Sequence, residues 1–208
     1  MEDNHWLSPE FEEEVKDFVL ETLGDSRGNF NGPHTLAAVY WMKWLLRQYS
    51  WMTRIGKVLI LSIYLHDIGW AKIPEEDMAG QEKMHGHGRK SEHMKLGAEM
   101  VREYLTPYLG ILVTTEEIEE IVFYVAHHDN LEVVRDATHQ GIVFVVMADT
   151  LGQIDTERVI PTLKRAELEK FLKRLDERRR PFFAAYPEAV RQLDLLLAGF
   201  RAYFNEGV

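Results

Sequence analysis

An almost wholly apolar run, Val58 to Leu65, ends in the dipeptide His66-Asp67, and Gly69 follows two residues later. A run of that composition belongs in a core helix. An imidazole and a carboxylate at its end must then be satisfied inside the protein, by hydrogen bonds, a counter-charge or a metal ion. Other segments therefore have to bring partners to that point. Candidates occur on both sides: His34 before the dipeptide, then His93, the pair His127-His128, and Asp149. Each falls on a different stretch of helical spacing, and together the set has donors for one or two ions.

Apolar spacing is helical through most of the chain, and no stretch alternates as an exposed strand does. The spacing predicts a first helix over about 9–23, with Ser8 as N-cap and Gly24 as its stop. A polar, glycine-rich loop over 25–31 follows. Asn31-Gly32-Pro33 opens a second helix, which carries His34 and runs to about Tyr49. A third covers about 53–67. Residues 70–90 are irregular, with Pro74, the acidic cluster Glu75, Glu76 and Asp77, and the polar run His85 to Lys90. A long loop in a compact domain is often a lid or binding loop. Ser91 is expected to cap a helix over about 92–105, and Thr114 or Thr115 another over about 116–128. Gly141 to Ile154 is β-branched enough for a strand, but its length favours a buried helix. Amphipathic helices over about 161–179 and 187–205 complete the chain. Internal repeats and low-complexity segments are absent from the sequence.

At 208 residues, 46% of them hydrophobic, the chain has enough apolar material for one well-filled domain. The expected domain is all-α, its core over about 31–152, with the first helix and the C-terminal helical pair packed on it. With no cysteine, thiolate metal sites, disulfides and cysteine nucleophiles are excluded. The formal net charge of -10 disfavours binding to duplex nucleic acid, which needs a basic face. It leaves room for a small phosphorylated molecule, because bound cations reverse the field within a pocket. The acidic N-terminus is unlike a signal peptide, and the apolar runs are shorter than the roughly 20 residues a spanning helix needs. A cytoplasmic protein without a membrane segment is expected.

Imidazole and carboxylate donors together suit first-row transition metals, and a histidine-rich set argues against an all-magnesium site. His66 and Asp67 lie in the last turn of a helix, where the partial negative dipole favours a cation. Asp149 follows seven apolar residues, a costly place for a carboxylate unless it is paired or metal-bound. Taken singly, each residue has a plainer role. A histidine near a helix end serves as a cap, His66-Asp67 as a hydrogen-bonded pair, and Asp149 as a partner of Arg158. The ordered set carries the argument, because helical bundles build metal sites from inward-facing side chains on different helices.

That order, with the strings Leu65-His66-Asp67-Ile68-Gly69 and Ser91-Glu92-His93-Met94-Lys95-Leu96-Gly97-Ala98, resembles the HD-domain superfamily of metal-dependent phosphohydrolases over about 31–152. The resemblance implies an all-α bundle. It also implies that His34, His66, Asp67 and Asp149 hold a first metal. His93 and His127 would hold a second, with Asp67 between the two. His127, which follows Tyr124-Val125-Ala126, is preferred to His128, the further candidate. His66 and Asp67 would be the catalytic pair. The expected cofactor is two divalent ions, iron or manganese, with magnesium, cobalt, nickel or zinc as alternatives.

Two such ions activate a water for attack on phosphorus, so the expected reaction is hydrolysis of a small phosphate ester, a nucleotide being the favoured class. Lys72, Arg89, Lys90 and Lys95 are candidates to grip phosphoryl oxygens, Arg89-Lys90 foremost, and Trp70 could stack on a base. Two departures matter. Many relatives carry lysine where this chain has Trp70. The Gly-Tyr-Pro motif of the branch that cleaves cyclic dinucleotides is missing after His127-His128, which disfavours such a substrate. The acidic cluster 75–77 is too loosely spaced to match the single-metal nucleotidases. A di-iron oxygenase of the myo-inositol oxygenase kind would share these ligands, whereas a non-catalytic binding domain predicts eroded ligands, and none is missing from the set. His85 and His87 read as part of a polar loop, His5 and His139 have no assigned partner, and Arg178-Arg179-Arg180 reads as the end of a solvated helix. The apolar stripe Val190, Leu193, Leu197, Phe200 and Phe204 is expected to pack on the bundle, with a homodimer contact as the alternative.

Overall fold

A computed structural model of the chain describes residues 6–24, 30–74 and 87–205, with the side chains of 87–90 left out. Among these residues the α-helices are α1 (Pro9–Leu23), α2 (Asn31–Gln48), α3 (Gly56–Leu65), α4 (His87–Leu105), α5 (Thr115–His127), α6 (Leu131–Asp136), α7 (Gly141–Ile154), α8 (Leu168–Arg178) and α9 (Pro187–Asn205). Short 3₁₀ turns join several of them, and no strand occurs among the described residues. The fold is all-α, as the apolar spacing predicts. None of these helices is long and apolar enough to cross a membrane.

Local chemistry sets the ends. Ser8 Oγ accepts the Phe11 N–H at 3.2 Å, and Gly24 closes α1 at φ +42°. Thr114 and Glu117 form a reciprocal capping box at the start of α5, a type of cap that contributes about 1 kcal/mol. Three expectations need correction. Helix α4 begins at His87, so Ser91 lies within the helix rather than capping it. The short helix α6, capped by Asn130, was not expected. The helix expected over 161–179 starts only at Leu168. Asp155 explains the delay: it accepts the Glu157 N–H, Trp41 Nε1–H at 2.9 Å and Arg158 Nη1–H at 2.8 Å. That buried carboxylate turns the chain after α7 and takes up Arg158, which therefore does not pair with Asp149.

Helices α3 and α7 are buried around almost their whole circumference, as expected of apolar runs without a polar face. The others bury one stripe each: Phe11, Val15, Val19 and Leu23 on α1, and Leu193, Leu197, Phe200 and Phe204 on α9. Two close approaches then position the polar residues. Gly152 of α7 lies so near α2 that an added Cβ would sit 2.7 Å from the Ala38 backbone nitrogen. One turn along each helix from that contact stand Asp149 and His34. Gly69 lies against α4, where a Cβ would fall 1.9 Å from the His93 carbonyl oxygen and 2.6 Å from the Gly97 nitrogen. Gly97 packs in turn against Val125 of α5, three residues before His128.

Candidate metal centre

His66 and His128 each stand just past the end of a helix, where carbonyls lack intrahelical partners. His66 Nδ1–H donates to Ile63 O at 2.8 Å, and His128 Nδ1–H donates to Val125 O at 2.9 Å. That bond selects the tautomer whose Nε2 lone pair is bare. Both Nε2 atoms face inward. His66 Nε2 lies 3.3 Å from His34 Nε2, and His128 Nε2 lies 3.3 Å from His93 Nε2. Two imidazole pairs thus converge in the interior, and all four rings are buried.

Asp67 sits between the pairs. Its Oδ2 is 3.8 Å from His34 Nε2 and 3.6 Å from His66 Nε2, while its Oδ1 is 3.5 Å from both His93 Nε2 and His128 Nε2. Asp149 completes the first side, with Oδ1 at 3.0 Å from His34 Nε2 and 3.7 Å from His66 Nε2. The donors form two groups able to hold a divalent ion, His34–His66–Asp149 and Asp67–His93–His128.

Asp67, Asp149 and Asp129 face one guanidinium, that of Arg179, and the buried imidazoles are further close polar neighbours of Asp67 and Asp149. Burial opposes ionisation of Asp67, but His66, with His128 and His93, overcomes it and holds the carboxyl well below the usual range. Asp149 is likewise held low: burial opposes its charge, and Arg179 and His34 outweigh it. Burial pushes the His66 imidazole toward its neutral, ligating form. For His128, burial opposes the charged form, but Asp67, with Asp129 and Asp149, pushes the pKa up, so an ion binding there displaces a proton. The two groups of inward-facing imidazoles and carboxylates fit metal ions.

An HD-domain family model matches residues 32–177. The chain belongs to the HD-domain family. No curated protein and no solved structure matches it significantly. Members of the family are mostly metal-dependent phosphohydrolases.

Within this HD domain the structure brings together His34, His66, Asp67, His93 and Asp149, and it replaces His127 by His128. His127 is half-buried on the outer face of α5, tilted against Phe123 at 4.8 Å between ring centroids. It borders an open groove of about 610 Å³ lined also by Ser91, Lys95 and Arg102, and burial, then His128, pushes its pKa down. Ile118, Ile121, Tyr124 and Val125 are the buried positions of α5. His128 stands just past the last helical residue, and the bond from its Nδ1–H to Val125 O turns the ring inward.

Trp70 also needs correction. It is buried, its ring stacks on His93 at 4.4 Å and 12°, and Nε1–H donates to Asp67 Oδ1 at 3.1 Å. It orients ligand candidates and offers no face to a base. Trp70→Phe keeps the stack and removes the donor. It is expected to weaken ion binding at the His93 group by roughly tenfold, with KM for substrate within twofold of wild type. Metal titration and steady-state kinetics check this, and a raised KM with intact metal binding would restore the base-stacking role.

Lys72 and Lys95 are exposed. Arg89 and Lys90 lie in the first turn of α4, their side chains outside the described residues, as are those of His87, His85, His5 and the acidic cluster 75–77. His139 rests near Phe123. The residue that sequence reasoning missed is Arg179. Arg178 is exposed, as a solvated helix end should be, but Arg179 is only 12% exposed and ion-paired to Asp149 at 2.5 Å and to Asp129. A signal existed: Leu168, Leu172 and Leu175 are the buried stripe of α8, and the next position on it is 179.

Proposed function

We propose that this HD domain is a metal-dependent phosphohydrolase acting on a small phosphate ester, a nucleotide being the first class to test, with two divalent ions at its centre. One observation carries the reading: the two oxygens of a single buried carboxylate, Asp67, face two separate histidine pairs. That is the arrangement a bridging ligand needs, and two-ion centres of this kind suit phosphoryl transfer to water. His34, His66, Asp67 and Asp149 would hold the first ion, and Asp67, His93 and His128 the second. When bound, the ions supply Lewis acidity toward phosphoryl oxygens and a water acidic enough to attack near neutral pH.

The protein's own part is organisation. Backbone carbonyls lock His66 and His128, and Trp70 holds Asp67 Oδ1, so the donors are in place before ions arrive. Burial excludes bulk water and strengthens every charge interaction in the site. Arg89 and Lys90, one helical turn ahead of His93 on α4, are proposed to grip phosphoryl oxygens. Iron and manganese are the first ions to test, with cobalt, nickel, zinc and magnesium as alternatives.

Metal analysis of anaerobically purified protein, beside a phosphate-ester screen and dioxygen uptake, tests the reading. About two equivalents of ion with phosphate release and no dioxygen consumption are expected. His128→Ala is expected to lose one equivalent and at least about 10²-fold in kcat/KM, while His127→Ala keeps both equivalents. Dioxygen consumption without phosphate release would overturn the hydrolase reading in favour of an oxygenase. An equivalent retained in His128→Ala and lost in His127→Ala would overturn the ligand assignment.

A further inference from the structure

We propose that Arg179, which lies beyond the matched HD segment 32–177, is a positioning residue for the metal centre, fixing Asp149 so that one oxygen, Oδ1, faces His34 and His66. The inference rests on the metal reading above, with Asp149 as a ligand. The contacts divide Asp149 cleanly. Oδ1 faces the imidazoles of His34 and His66. Oδ2 accepts Arg179 Nη1–H at 2.5 Å. A carboxylate held in this way is oriented as a one-oxygen donor, and partners of this kind to metal ligands tune affinity as well as geometry.

Three further features make Arg179 a built fixture. Nη1–H also donates to Thr150 Oγ1 at 2.9 Å, and that hydroxyl is itself tied to Val146 O at 2.6 Å. Nη2–H donates to Asp129, the residue directly after His128. One planar fork therefore joins the ligand of the first group to the neighbour of a ligand in the second, a geometry that lysine cannot copy. The backbone is anchored as well. Arg179 caps α8 through its N–H to Leu175 O, and the 3₁₀ turn Arg180–Phe183 that follows buries Phe182 and Phe183 in the core. Arg180 is tied to Asp176 and to Asp194 of α9. The C-terminal segment is thus a structural component of the site.

Two effects of removing Arg179 oppose each other. Loss of a cation beside the ligands would tighten metal binding by Coulomb attraction, and loss of orientation would weaken it. Orientation governs here, because Arg179 Nη1–H holds Oδ2 and is itself fixed by Thr150 Oγ1, which leaves Oδ1 alone facing the histidines.

The test is titration of metal-stripped protein with Mn(II), and with Co(II) followed by its visible absorption, for wild type, Arg179→Lys and Arg179→Met. Arg179→Lys keeps the charge and lacks the fork, and it is the variant expected to fold. It should bind the first ion about 10- to 100-fold more weakly, with an altered Co(II) spectrum and second-ion affinity within about threefold of wild type. Arg179→Met, if folded by circular dichroism, should be weaker still. Wild-type affinity and spectrum in Arg179→Lys would overturn the positioning role, and tighter binding in either variant would make Arg179 an electrostatic brake instead. If wild type itself takes up neither ion, the metal reading falls and this inference with it.

Discussion

Asp67→Asn is expected to abolish the two-ion centre while leaving the fold intact. The amide presents one oxygen where the carboxylate presents two, so it cannot serve both the His34–His66 side and the His93–His128 side. Metal content should fall to one equivalent or less. Hydrolytic activity should drop by roughly 10³-fold or more, since several kcal/mol of charge stabilisation is lost. Stability should fall as well. Burial opposes the Asp67 charge, but His66, with His128 and His93, holds the carboxyl well below its usual range. Its ionised form therefore stabilises the metal-free fold above that range, and the melting temperature of metal-free Asp67→Asn is expected to drop. A variant that is still folded by circular dichroism yet metal-deficient separates a site residue from a structural one. Activity within tenfold of wild type would remove Asp67 from the centre of the mechanism.

Gly69→Ala should do the reverse, damaging the fold first and the site through it. The added methyl would meet the His93 carbonyl oxygen at 1.9 Å and the Gly97 nitrogen at 2.6 Å. Both are backbone atoms, so no side-chain rotation relieves the overlap, and α4 must move away from the His-Asp turn. Overpacking of this severity costs about 3 kcal/mol or more, which for a chain of this size lowers the melting temperature by roughly 6–12 °C. Because α4 carries His93, the second ion should be lost at metal concentrations where the first is still bound. Calorimetry with metal titration reads both effects. An unchanged melting temperature would mean that α4 packs differently.

The glycine after His-Asp therefore has a physical reason in this HD domain. It is the point where two backbones touch, and the touch brings His93 to Asp67. Gly152 does the same for His34 and Asp149 against Ala38.

Much of the architecture follows from local information. Capping chemistry at Ser8, Gly24 and Thr114 and uninterrupted apolar stretches at 58–65 and 141–154 are properties of a few neighbouring residues, so helix positions could be read before any packing was known. The ordered ligand types were legible for the same reason: an imidazole or carboxylate beside an apolar run marks a buried polar group whatever surrounds it. Where reading failed, the deciding quantity was a direction or a distant partner. Consecutive helical residues point about 100° apart, so His127 and His128 look alike in a string, yet His128 is buried beside His93 while His127 borders an open groove. The buried set Ile118, Ile121, Tyr124 and Val125 extends to 127 and 128 alike, whereas extending Leu168, Leu172 and Leu175 would have flagged Arg179 as inward-facing.

The sequence by itself determined that this chain is a helical protein with buried imidazole and carboxylate groups on separate helices. Tertiary structure alone decided that Asp67 stands between two histidine pairs, that Trp70 stacks on His93 while donating to Asp67, and that Arg179 reaches Asp149 across 30 residues. Helix formation depends on neighbours in the chain, but the distance between two side chains depends on how closely whole helices approach, and here backbone contacts at Gly69 and Gly152 set that distance.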